Sequence, residues 1–319
     1  MKKRAVIAVT IIMVVAISGL WGCGEKDAEK ISISGTVRIL TTSGAGETGL
    51  KNLPEDFKVQ PKRNMKKIQE KILAGGWDFA IVDSITAAQL YKETGKNLKV
   101  VSPVKYGRVV LFQNGYVQPV KIERVLNEKT NAYESKEVKI DLPLGKFLGQ
   151  NVSVLGREKG FSHTIASIAA TKEYTGFRPD KTVYYGNYKD FATSMDVYNQ
   201  VGVATGNEAS RVMRKNKSIT MVRDFSDIWK EQWEQDIPEL VLIVNNTFVE
   251  KRGKEILLIL RTIGKSFAKS NEEGPSRRVL YVESNRGINV LKRFYKIVRE
   301  NKQEALGDKN PGKDFYYDL

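Results

Sequence analysis

The sequence predicts an α/β chain of two lobes, each a mostly parallel sheet flanked by helices, with a cleft between them. Three observations predict it. Short apolar runs bounded by Gly, Asn, Asp or Ser alternate with segments whose apolar residues recur at helical spacing. Strand, polar loop and helix follow one another repeatedly in both halves of the chain, as βα units require. The length of 319 residues exceeds one typical domain.

Lys71–Leu90 is the clearest such unit. Gly75 and Gly76 break a helix, Trp77–Val82 reads as a short strand covered on both faces, and Asp83 or Ser84 caps the next helix. Around it the chain reads in order. Strands are expected at Thr36–Leu40 and Phe57–Gln60, then a helix Met65–Ala74 capped by Asn64 with Met65, Ile68, Ile72 and Leu73 as its apolar stripe. The helix Ser84–Glu93 and strands Leu98–Val101 and Val109–Gln113 follow. Tyr116–Gly149 is charged and partly alternating, and reads as an extension or hairpin leading to the second lobe.

That lobe repeats the theme. Strand Asn151–Leu155 leads through Gly156–Gly160 to a helix Thr164–Thr175, strand Thr182–Tyr185 to a helix Tyr188–Met195 capped by Asn187, and strand Val201–Ala204 to a helix ending near Met213. Ile219–Val222 should run back toward the first lobe, where Leu240–Val244 is a strongly apolar strand. Helices over Lys254–Ala268 and Ile288–Asn301 complete it. The expected division is a signal peptide at 1–22, a lipidated start and tether at 23–35, lobe one at 36–116 and 223–304, and lobe two at 117–222 with its charged extension at 117–149. A polar tail at 305–319 is expected to be a surface strap or frayed end.

Lys2, Lys3 and Arg4 precede the apolar run Ala5–Gly19, and Leu20-Trp21-Gly22-Cys23 follows. This resembles the bacterial lipoprotein cleavage box, with Cys23 as the lipidated first mature residue and Trp21 in place of the usual small or aliphatic residue. An uncleaved anchor is the alternative, but the run is short for a bilayer crossing, which needs about 20 residues. The expected location is therefore extracytoplasmic, lipid-anchored to a bacterial membrane. Without its three leading cations the chain falls from +15 to +12 and stays basic. Export and the lack of any nucleic-acid motif set nucleic-acid binding aside; a solvated lysine-rich surface or attraction to anions remains.

Cys23 is the only cysteine and His163 the only histidine. Disulfides, thiolate metal sites and histidine clusters are excluded, and a serine triad could use only His163, beside Ser162 and outside any nucleophile-elbow pattern. No phosphate-loop or dinucleotide fingerprint appears. Catalysis, a metal and a cofactor are all unexpected.

Binding chemistry is better represented. Four strand-end loops carry small polar groups: Thr41, Thr42 and Ser43; Asp83 and Ser84; Ser162 and His163; Thr205, Asn207 and Glu208. Exposed N–H groups at helix starts favour a negative atom, and hydroxyls add hydrogen bonds. Each of these residues also has a plainer role as a cap on its own helix. Tyr106, Phe161, Tyr184, Tyr185, Trp229 and Trp233 are candidates for an aromatic ligand wall or for core. Trp229 and Trp233, in an acidic segment, read as a cleft edge or contact surface.

Several stretches, in this order, carry a family resemblance: I-L-A-G-G-W-D-F-A-I-V-D and L-K-V-V-S-P-V, then L-G-Q-N-V-S-V-L and V-Y-N-Q-V-G-V-A-T-G-N-E-A, then D-I-W and P-E-L-V-L-I-V-N-N-T-F-V-E. Over Thr36–Lys269 the chain resembles extracytoplasmic solute-binding proteins of ABC importers, in the branch whose members bind nitrate, taurine, aliphatic sulfonates or thiamine precursors. The resemblance implies a two-lobed periplasmic-binding-protein-like fold of type II, a monomer that closes on a small organic solute and docks on an ABC permease. It assigns ligand contact to Thr41–Ser43, Asp83–Ser84, Phe161–His163 and Thr205–Glu208; Tyr106 joins the candidate ligand residues as an aromatic wall. The short Gly44–Asp56 region and the long Tyr116–Gly149 connection depart from the family pattern. Sensing or protein contact in the envelope is the alternative role, and an envelope enzyme a more distant one.

Overall fold

A computed structural model of the chain describes residues 32–42, 45–117, 119–140, 151–172, 179–272, 285–307 and 311–317. Ser34–Leu319 forms one unit, separate from Met1–Ile33. The signal segment, Cys23, Ser43 and residues 141–149 of the charged extension lie outside the described residues.

Two five-stranded sheets organise the described body. The first contains β1 (Val37–Thr42), β2 (Phe57–Lys62), β3 (Phe79–Asp83), β4 (Leu98–Gly107) and β12 (Ile237–Asn245), in the order β2-β1-β3-β12-β4. The second contains β5 (Val109–Asn114), β8 (Asn151–Leu155), β9 (Lys181–Tyr185), β10 (Val201–Thr205) and β11 (Ile219–Asp224), in the order β11-β5-β10-β8-β9. Phe79–Val82 and Val241–Ile243 are fully buried, as unbroken apolar runs covered on both faces should be. Helices α1 (Ala45–Gly49), α2 (Met65–Leu73), α3 (Ser84–Glu93), α8 (Asn246–Arg252), α9 (Ile256–Glu272) and α10 (Asn285–Lys302) belong with the first sheet. The second carries α4 (Phe161–Lys172), α5 (Tyr188–Ser194), α6 (Gly206–Lys215) and α7 (Phe225–Trp233).

The two-lobed α/β reading holds, with two differences. Each sheet is mostly parallel, as expected: four of its five strands share one direction, and only β12 in the first and β5 in the second run against both neighbours. The expected boundary at 116/117 moves to Gly107–Arg108, because β4 passes straight into β5 and β5 pairs with β10 and β11. For the same reason Ile219–Val222 stays in the second sheet, and the chain returns through α7. Nothing local in Val109–Gln113 states which sheet it joins.

The extension contains an exposed hairpin of β6 (Val120–Asn127) and β7 (Ala132–Lys139), paired only with each other among the described strands. The tail is no frayed end: Ala305, Leu306 and Phe315 are fully buried, and Tyr316 bridges to Val100 of β4. Trp229 is likewise core, stacked 4.4 Å from half-buried Trp233 and 5.6 Å from Phe294. This overturns its placement at a cleft edge; the acidic neighbours face out while the indole faces in. No helix of the described residues is long and apolar enough to cross a membrane.

Candidate functional site

Strand register builds the site. β1 and β3 run parallel with Leu40 beside Ala80, so Thr42 and Asp83 emerge at the same end of the first sheet. On β12, Leu240 has Asp83 on one side and Lys105 on the other. Thr42, Asp83, Leu240 and Lys105 therefore form one row, with Glu239 and Tyr106 next to it. In the second sheet Thr205 pairs with Val109, and Val203 with Val154. Thr205 and the loop after Leu155 form the opposing row.

The rows meet at two places. At the first, the guanidinium of Arg157 lies close enough to Asp83 to favour its ionised form. Arg157 Nη2 also donates to Gln89 Oε1 on α3. Gln89 Nε2 then donates to the carbonyl of Lys159 at 3.1 Å and to that of Ala305, in the tail, at 2.8 Å. One amide thus ties the first lobe, the second-lobe loop and the C-terminal strap.

Asp83 caps α3 with both oxygens: Oδ1 accepts from the Thr86 N–H at 2.8 Å and Oδ2 from the Thr86 hydroxyl at 2.6 Å. Burial pushes its carboxyl pKa up, against the pull of these bonds and Arg157. Ser84 is fully buried; its carbonyl accepts from the Tyr295 hydroxyl at 2.7 Å, while its own hydroxyl has no partner among the described residues. On the facing α4, Thr164 is also fully buried with an unpartnered hydroxyl.

At the second meeting place, Lys105 Nζ and Glu239 Oε2 are 2.5 Å apart, with side chains only 14% and 10% exposed. Glu208, from the opposite lobe, feels both: Glu239 disfavours its charge and Lys105 favours it. Thr205-Gly206-Asn207-Glu208 has the spacing of a capping box. Thr205 Oγ1 donates to Glu208 Oε2 at 2.8 Å instead of capping α6. Burial is the largest influence on Glu208 and raises its pKa. A side chain at Gly107 would run into Glu239, its Cβ falling 2.2 Å from Oε2, so only glycine leaves room for that carboxylate at the crossing.

Other expected residues sort differently. Thr41 is fully buried, donates to the Thr42 carbonyl at 3.2 Å and fills the space a side chain on Gly46 would need, so it packs rather than lines the gap. Phe161 and Ser162 are buried, and Phe161 joins an apolar cluster shared by α4, α7 and α10 that closes one flank of the seam. Asn207 is exposed. Half-buried His163 accepts from the Lys159 N–H at 3.2 Å through Nδ1, which fixes the neutral tautomer with its proton on Nε2. Burial, followed by Lys302, lowers its pKa, and its ring meets Tyr184 edge-on at 5.4 Å. Tyr106 is half-buried, with its hydroxyl pKa raised by burial. Lys105, Glu239, Gln89 and Arg157 were missed as site residues. A glutamate inside the apolar run of β12 was the available signal, since a buried acid needs a partner.

Two sheet-centred lobes, joined where strands cross between them and meeting along their strand ends, define a periplasmic-binding-protein fold. Solved structures agree. An ABC transporter protein from Parabacteroides distasonis has a TM-score of 0.63 at 13% identity, over 89% of this chain and 99% of that one. The periplasmic aliphatic sulphonate binding protein SsuA of Escherichia coli gives 0.54 at 14%, over 88% and 84%. The Candida albicans CA3427 product, described as having the generic periplasmic binding protein fold, gives 0.54 at 10%, over 88% and 93%. No protein-family model matches the chain. No curated protein matches its sequence.

Proposed function

We propose that the chain is an extracytoplasmic receptor, tethered through a lipid on Cys23, that captures a small organic solute between its lobes and delivers it to an ABC permease without chemical turnover. The observation that carries this reading is the seam itself: Asp83 opposite Arg157, and Lys105 with Glu239 opposite Glu208, are charged groups contributed by both lobes. A solute bearing a carboxylate or sulfonate could take over Arg157 and Lys105 when the lobes part, leaving the cations neutralised on closure. The likeness in fold to a sulphonate-binding protein and to an ABC transporter protein supports the same role.

A calorimetric screen of sulfonates, carboxylates and flat heterocycles against the purified chain tests it. Saturable binding of one class, weakened by Arg157→Ala, is expected; binding of none by a well-folded chain overturns the reading. Intact-mass measurement of the mature N-terminus checks the lipid on Cys23. A second reading, contact with another envelope protein, is favoured by the hairpin, on which Ile122 and Tyr133 are 73% and 72% exposed. Copurification of a sensor complex instead of a permease would select it.

A further inference from the structure

β2 forms an edge of the first sheet, and α2 packs beside it through Ile68 and Ile72. Between them lies an open groove of about 380 Å³ lined by Lys62, Arg63, Lys67, Glu70 and Lys71. Its one carboxylate is already engaged, with Lys67 Nζ 2.7 Å from Glu70 Oε2. Lys62, Arg63 and Lys71 have no ion-pair partner among the described residues, and exposed Lys58 and Lys66 extend the basic face. Leu73, at the end of α2, is 53% exposed on the flank of the helix shared with Lys66, across the solvent face from the groove.

The geometry points to a bilayer-docking face: phosphates of anionic phospholipids occupy the groove, and Leu73 sits at the headgroup boundary. Clustered lysines and arginines next to an apolar side chain are what such a surface attracts. The stretch from Cys23 to Ser34 spans at most about 40 Å, so a body anchored at Cys23 stays within that distance of lipid. Register places Lys62 beyond the same sheet end as Thr42, because the two pair directly. Docking here would hold the first lobe's rim of the seam toward the membrane.

The test uses the full chain with Leu73→Cys carrying an environment-sensitive dye, in vesicles with and without phosphatidylglycerol; the parent chain, treated with the same dye, sets the baseline. Vesicle flotation is recorded alongside. A blue shift of the residue-73 dye confined to the anionic vesicles is expected, reversed by high salt as contact between exposed charges should be. The combined Lys62→Ala, Arg63→Ala, Lys67→Ala and Lys71→Ala variant should lose that shift while keeping the parent's melting temperature. Equal emission in both vesicles overturns the proposal, as does a shift that survives the fourfold variant or failure to float with either vesicle. Equal emission combined with salt-sensitive binding to an acidic permease surface would assign the face to a protein instead.

Discussion

Glu208 shows how a single carboxylate can record the meeting of the lobes. Burial raises its pKa above the ordinary 4.5, with Glu239 adding to the rise and Thr205 and Lys105 opposing it. The folded state therefore holds this proton more tightly than the unfolded chain. The group's contribution is most favourable below pH 4.5 and is lost as pH rises through its raised folded value. Glu208→Gln keeps an acceptor for Thr205 without the charge, so thermal melts should find the variant at least as stable as the parent near neutrality. His163 works in the opposite sense: its pKa is lowered from 6.5, so its contribution is full above pH 6.5 and is lost as pH falls toward the folded value. Melts of Glu208→Gln from acid to neutral pH should keep the His163 slope beside that of Asp83, and His163→Gln in the same background should remove the His163 share, raising stability on the acid side relative to neutral pH. Asp83 divides its roles differently. Asp83→Ala removes both bonds to Thr86 and should cost about 1 kcal/mol in urea unfolding, the usual loss for an N-cap. Asp83→Asn keeps an acceptor and should recover most of that. Because Asp83 competes with an anionic solute for Arg157, tighter solute binding by the asparagine variant would then report the charge opposite Arg157 rather than the cap.

Elements were legible where one stretch of sequence contains its own reason. The turn Gly75-Gly76, with both glycines at positive φ, the strand Phe79–Asp83 and the capped helix Ser84–Glu93 follow from local residue types. So do the Asn64 and Asn187 caps, each accepting from the N–H three residues on. Membership of a sheet was not legible for β5, because register is set by distant partners; the expected boundary put it in the wrong lobe, while β11 falls within the lobe expected for it. At the site, the strand-end loops were legible as loops. The ties between lobes were not: Gln89 lies inside a regular helix and Glu239 at an irregularity in the pairing of β12 with β4, and their partners come from far along the chain. The C-terminal strap escaped for a related reason. Its polar composition hid Phe315, fully buried with its ring 4.9 Å from that of Tyr91 and 5.3 Å from that of Tyr295. Phe315→Ala should cost about 3–5 kcal/mol, the range for emptying a buried aromatic site. Chemical denaturation measures it, and a loss below about 1 kcal/mol would mean that the strap only rests on the body.

For the whole molecule, the open–closed balance that the proposed function requires would depend on how few bonds join the two lobes. Gln89 makes two such bonds, to Arg157 and Lys159, and a third to Ala305 in the strap. At about 0.5–1.5 kcal/mol net for each hydrogen bond, losing the two interlobe bonds shifts the balance toward opening by about 1–3 kcal/mol. That is roughly a 5- to 150-fold change in the ratio of closed to open chains. Gln89→Ala should accordingly enlarge the radius of gyration in small-angle scattering without solute. It should also weaken solute affinity, because binding must then supply the closure that Gln89 had supplied. Saturating solute should return the variant to the parent's dimensions, since contacts to both lobes favour the closed form whichever residue is missing. Gln89 also holds the strap through Ala305, so a variant that expands merely because the tail detaches has to be told apart. Phe315→Ala provides that comparison: it loosens the strap while leaving Arg157 and Lys159 bonded to Gln89. Expansion that solute reverses in Gln89→Ala, but not in Phe315→Ala, would place the control of closure in the interlobe bonds; identical behaviour of the two would place it in the strap.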